Sequence, residues 1–162
     1  MNRAALYLIG GILAIVIVAI SALFTASDGS GGHPAGLDQA MQGYMNTILT
    51  GDKSNFLTFF SQDSNWRFIS YRAGTHATVR NVSFTYADTA KEMEREGGLW
   101  TAFFDGTDRY RYKDRIADHP LSHWTLDGTT YSIPRNEGVI SFIRWSHDDG
   151  RWVIKIIGDD SP

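Results

Sequence analysis

Apolar residues fall along this chain in three regimes. The first is continuous: residues 4–24 read AALYLIGGILAIVIVAISALF, without a charge. As a helix rising about 1.5 Å per residue, this run spans roughly 30 Å, the thickness of a bilayer's hydrocarbon core. The β-branched stretch Ile15-Val16-Ile17-Val18 suits a strand in water. In lipid the backbone must satisfy its own hydrogen bonds, so the pattern predicts a transmembrane helix. Arg3 on the short leading side favours a cytoplasmic N-terminus and sends the remainder across the membrane. A cleaved signal peptide is the alternative, because Ala19-Ile20-Ser21 and Thr25-Ala26-Ser27 offer small residues to a peptidase. The run is nevertheless longer than the roughly 7–15 residues usual for a signal sequence. Gly10 and Ala14 stand at a spacing that lets two helices approach closely, so a homodimer through this segment is compatible with the sequence.

The second regime has a helical period. It comes after SDGSGGHPAG, residues 27–36, whose glycine and serine content predicts a flexible tether in which His33 has no role. Leu37, Met41, Tyr44, Met45 and Ile48 then repeat on one helical face. Gly51 comes next as a left-handed stop, and Asp52 or Ser54 is placed to cap a short second helix carrying Phe56, Leu57, Phe59 and Phe60. Together these predict a helical hairpin with an apolar inner side. Further on, Thr85-x-x-Asp88 reads as a capping box before a helix marked by Tyr86, Ala90 and Met93, which Gly97-Gly98 stops. Leu99, Trp100, Phe103 and Phe104 form an apolar helical turn closed by Asp105-Gly106.

The third regime alternates. Asn65 to Tyr71 and Thr75 to Phe84 read as strands separated by Ala73-Gly74. In DRYRYKDR, Arg109, Arg111, Lys113 and Arg115 share one parity while Tyr110 and Tyr112 share the other, as in a strand with one cationic face. Asp127-Gly128 and Asp149-Gly150 are hairpin signals. Two-residue turns there would oppose Trp124 to Tyr131, Trp145 to Ile154 and Ile143 to Ile156. Ile140, Phe142, Val153 and Ile157 would then occupy the opposite face with Arg144 and Lys155.

Composition narrows the function classes. The 162 residues are enough for one domain, and 13% aromatic content argues against disorder. The expected division is a membrane segment over 1–26, a linker over 27–36 and a globular domain over 37–162. Setting Arg3 aside leaves 15 − 1 = 14 basic against 18 acidic side chains, so the exported part is mildly acidic and poorly suited to nucleic acid. The absence of cysteine excludes disulfides, thiolate metal sites and a lipid-modified cysteine anchor.

The order of elements, and MQGYMNTILTGDKSNFLTFFS in particular, resembles the opening of the nuclear transport factor 2-like (SnoaL-like) superfamily, with its Gly-Asp break at Gly51-Asp52. The hairpin around Asp149-Gly150 resembles that superfamily's last two strands. The resemblance implies an α+β fold, in which a helical hairpin packs on a curved antiparallel sheet as a cone. It also implies that an enzyme of this build would keep an acid–base Asp or His inside the cone.

Candidate chemistry is sparse. Asp118, His119 and His123 form the richest polar patch, where one imidazole would serve as general base oriented by Asp118. The histidines would share a face only on a helix, which Pro120 opposes, and a strand would leave them far apart, so turn residues are expected there. Arg109, Arg111, Lys113 and Arg115 would dock an anionic partner or protect a sheet edge. Tyr71, Tyr110 and Trp124 are candidates for lining a binding site, although tryptophans in a small domain serve first as core. No metal site or cofactor is expected. The reading favoured by anchor, tether and missing catalytic set is a non-enzymatic binding or assembly module of the bacterial envelope. It would be held in the inner membrane with its domain in the periplasm, and its partner would be a protein or an envelope component. A small-ligand sensor using the cone's interior is the alternative, and after it a hydrolase or isomerase with an Asp/His pair.

Overall fold

A computed structural model describes residues 33–72, 77–105, 112–133 and 140–161. The apolar run 4–24 lies outside them, and among the described residues no helix is long and apolar enough to cross a membrane. Chain contacts group Gly36–Pro162 as one compact unit.

Local chemistry accounts for the first half. Helix α1, Leu37–Thr50, buries Leu37, Met41, Tyr44, Met45 and Ile48, the face set by its apolar spacing. Gly51 ends it with φ 74°, and Asp52 accepts the Asn55 backbone N–H at 3.1 Å to start α2, Lys53–Leu57. Strands β1, Trp66–Arg72, and β2, Thr78–Phe84, pair antiparallel. Thr85 and Asp88 form the expected capping box of α3, Tyr86–Glu94. A short turn, α4, Gly98–Trp100, runs into a π-helical turn, Thr101–Asp105, that buries the adjacent Phe103 and Phe104.

The strand expected over 108–115 is corrected. Tyr112–Asp118 is a helix, α5, with Tyr112 and Ile116 buried one turn apart. The Arg/Tyr alternation imitates a strand, but burying the i,i+4 pair against α1 requires a helix. Arg109, Tyr110 and Arg111 lie outside the described residues.

Four strands complete the chain: β3, Thr125–Asp127; β4, Thr130–Ser132; β5, Ile140–Asp148; and β6, Arg151–Ser161. The sheet order is β2-β1-β6-β5-β4-β3. It is mixed rather than antiparallel, because β1 and β6 run parallel. The helices between β2 and β3 carry the chain to the far edge, so the closing meander ends beside β1 in the same direction.

Both hairpin registers differ instructively from expectation. At the first, Leu126 rather than Trp124 opposes Tyr131. The turn is Gly128-Thr129, with Gly128 at φ 59°, and Thr129 is pinned to β5 because its hydroxyl donates to the Trp145 carbonyl at 2.9 Å and its carbonyl accepts from the Trp145 N–H at 2.9 Å. At the second, Asp149 and Gly150 both have positive φ, as a tight two-residue hairpin turn requires, and Trp145 does oppose Ile154. Beyond that pair a bulge at Lys155 shifts the register, so Ile143 faces Ile157 while Ile156 faces Arg144. The bulge reverses the parity of the residues after it: Ile157 joins the core and Ile156 turns to the other side.

The helices cover one face of this sheet, and aromatic side chains of the described residues pack between them. Tyr44, Phe56, Phe60, Trp66, Phe103, Tyr131 and Trp145 are each at most 2% exposed. One pair of buried polar groups is matched across elements. The Trp66 indole N–H donates to Thr89 Oγ1 at 2.8 Å, and that hydroxyl donates in turn to the Thr85 carbonyl at 2.8 Å. Thr89→Val should therefore cost about 1–3 kcal/mol, the range for stranding a buried donor, when measured by chemical denaturation. A double-mutant cycle with Trp66→Phe should recover part of that loss. Additive losses would show that the bond contributes nothing.

Candidate functional site

Helix α5 and the turn after it carry most of the candidate residues. The His119 N–H continues the helix by donating to the Arg115 carbonyl at 2.9 Å. Pro120 then starts a 3-10 turn, Leu121–His123. The turn returns His123 toward His119, with ring centroids 5.9 Å apart and planes at 69°. Neither a helix nor a strand is needed to bring the histidines together; a turn does so.

Proximity does not assemble a catalytic set. Asp118 is exposed and hydrogen-bonds to neither imidazole, and His119 Nδ1 is buried without a partner among the described residues. A general base needs an orienting acceptor, and none is seen among the described residues. Among the described residues no group of three His, Asp or Glu donors converges for a metal. Asp118 and His123 are exposed, and His119 is half-buried. Asp118 helps to line a shallow depression with Asp114, Arg115 and Ala117.

The remaining candidates separate. Trp124 is buried, and its indole N–H donates to the His119 carbonyl at 3.0 Å, so it fastens the turn rather than lining a site. Lys113 and Arg115 are two positions apart on a helix, roughly 200° around its axis, and share no face. Tyr71 stands on β1 with its ring 6.5 Å from Phe142, on the sheet face away from the helices.

That outer face carries Phe142, Arg144 and Lys155, as the hairpin pattern suggests, beside residues of other strands. Register places Ser83, Arg67, Ile156, Arg144 and Thr130 in one row across five strands. The next row is Asn81, Ile69, Gly158, Phe142 and Ser132. The Phe142 ring lies over Gly158, where an added Cβ would meet it at 2.2 Å. Beside these rows Lys155 donates to Asp148 and Ser64, and Ser146 donates to Asp148 at 2.9 Å. The lysine bond, then the serine bond, holds the Asp148 carboxyl below its ordinary range. Finding this surface from sequence required the position of the Lys155 bulge, which no local motif announces.

Inside the core, the ionisable groups are phenols. The Tyr44 and Tyr112 hydroxyls share a hydrogen bond of 2.8 Å, and the Tyr131 hydroxyl donates to Asp38. Burial raises both the Tyr44 and Tyr131 phenols far above the usual tyrosine range, and Asp38 pushes Tyr131 further.

No protein-family model matches the sequence, and no curated protein matches it. Among solved structures, the chain is similar to a protein of unknown function with a cystatin-like fold from Methylobium petroleophilum PM1. Identity is 14%, coverage 80% of this chain and 79% of that one, and the TM-score 0.34. A likeness at that level carries no argument about the site; the α+β build is read directly from the strands and helices.

The two buried phenols set a pH dependence. A group whose folded pKa exceeds its unfolded value of about 10 contributes stability below pH 10 and loses it as pH rises further. Stability should thus fall above about pH 10, by up to about 1.4 kcal/mol per pH unit for each phenol, and Tyr44→Phe should make the fall shallower. Denaturant unfolding across that range tests it, and equal slopes for both proteins would contradict it.

Proposed function

We propose that this chain is a membrane-anchored, exported domain of nuclear transport factor 2-like build that serves the cell envelope as a non-enzymatic binding or assembly module. One observation carries the reading: the space between helices and sheet, where a domain of this build would hold a substrate or ligand, is occupied by its own aromatic side chains. A pocketed acid–base pair needs a concavity and a shifted ionisable group beside it. Asp118 lines an open surface depression, and His119 and His123 are not among its lining residues.

The uncharged run 4–24 supports anchoring, and Arg3 supports an extracytoplasmic domain. The order of helical hairpin, β-hairpin, helices and four-stranded meander supports the superfamily assignment. In this reading the exported domain presents its surface to a protein or envelope component, and the membrane segment holds it in place.

The lack of cysteine makes the location directly measurable. Ser122 is exposed, so Ser122→Cys introduces a single reactive thiol. A membrane-impermeant maleimide should label it in intact spheroplasts as fully as after lysis. Labelling only after lysis would place the domain in the cytoplasm and sink the proposal.

A further inference from the structure

We propose that His119 and His123 together form a surface site for a divalent late transition-metal ion, of the class of Zn²⁺ and Ni²⁺. The site goes beyond the binding-module reading and does not depend on it.

Backbone geometry is the first argument, because the segment between the two histidines is tied down at both ends. The His119 N–H closes the last turn of α5 on the Arg115 carbonyl at 2.9 Å, and the His119 carbonyl accepts the indole N–H of buried Trp124 at 3.0 Å. Within the turn, the His123 N–H donates to the Pro120 carbonyl at 2.8 Å and the Trp124 N–H to the Leu121 carbonyl at 3.0 Å. Both imidazoles therefore spring from a frame anchored in the core, so little order remains to be imposed when one ligand joins them.

Ring spacing is the second. Metal–nitrogen bonds of about 2.0–2.1 Å place an ion about 3.2 Å from the centre of each imidazole that holds it, so two rings on one ion stand about 5–6 Å apart. The His119 and His123 ring centroids are 5.9 Å apart.

An unmet polar atom is the third. His119 Nδ1 is buried without a partner, and neither imidazole is hydrogen-bonded or ion-paired among the described residues. Such an atom costs about 1–3 kcal/mol. The Trp124 indole in the same turn is satisfied, so the orphan is particular to the imidazole. Coordination through Nδ1 removes that cost, and His123, being exposed, can turn its ring to the same ion.

Donor chemistry decides the metal. Imidazole suits zinc, nickel and copper, whereas magnesium and calcium take oxygen donors. Among the described residues no three His, Asp or Glu side chains converge, so carboxylates do not convert the pair into an oxygen site. The chain has no cysteine, so no thiolate competes for the ion. With two protein ligands, water completes the coordination, which makes this an open, exchangeable site rather than a closed structural one.

The test titrates the full chain in detergent, first stripped of metal with a chelator, with Zn²⁺, Ni²⁺ and Mg²⁺ by isothermal titration calorimetry. One ion per chain is expected for Zn²⁺ and Ni²⁺, and none for Mg²⁺. His123→Ala and His119→Ala should each weaken binding at least about tenfold, because even the loss of a ligand's supporting partner costs about 10–100-fold. His147→Ala, on β5, should leave it unchanged. Nitrogen NMR of the histidine side chains should show Zn²⁺ moving the His119 and His123 resonances and leaving that of His147 in place. Since His123 is exposed, its variant carries the test should His119→Ala fail to fold. Absence of one-to-one binding overturns the inference, as does binding that survives both His119→Ala and His123→Ala. An equal loss with His147→Ala, or equal affinity for Mg²⁺, overturns it too.

Discussion

Ring-on-ring contact closes the interior of this domain, and the rest of the structure is arranged around that closure. Tyr44 of α1 is the hub. Its ring lies 5.7 Å from Phe56, 5.8 Å from Phe59 and 6.0 Å from Trp145. Its hydroxyl meets Tyr112 of α5, so one side chain joins two helices, the loop after α2 and the sheet. Aromatic pairs contribute roughly 0.5–1.5 kcal/mol each beyond the area they bury, and they pack in fixed edge or offset geometries. A core built this way leaves its own rings where a ligand would go. The tyrosine pair and the Trp66–Thr89 bond join buried polar groups across elements.

The two sides of the sheet differ in character. The inner side is apolar and covered by helices. The outer side mixes half-buried Tyr71, Phe142 and Ile156 with exposed arginines on non-edge strands. A bulge at Lys155 turns Ile156 outward and Ile157 inward. Lys155 itself is tied to Asp148 and Ser64, so polar contacts hold the bulge that gives the outer face its apolar centre.

Features decided by neighbouring residues were legible in the chain. The stop at Gly51, the cap at Asp52, the Thr85–Asp88 box and the Asp149-Gly150 turn all arise from local backbone chemistry. Features decided by distant partners were not. Helix α5 forms because Tyr112 and Ile116 find α1 and the π-helical turn, and the alternating Arg/Tyr pattern gives no hint of that. The parallel pairing of β1 with β6 joins segments some ninety residues apart, and the bulge exists only in the context of β5. The candidate site obeyed the same rule. His119 and His123 were visible as residues, but their approach depends on a 3-10 turn after Pro120. The hairpin pattern puts Arg144 on the outer face, but the row it shares with Arg67 appears only once three strands are in register.

The closed interior is tested most directly at Trp145. Its indole N–H is buried, lacks a hydrogen-bond partner among the described residues and sits beside the Tyr44 and Phe59 rings. Hydrogen exchange of that proton, monitored by nitrogen-edited NMR, reports whether water reaches the space between helices and sheet. Exchange as slow as global unfolding is the expected result. Exchange within seconds in the folded protein would reveal a wet, open interior and contradict the account.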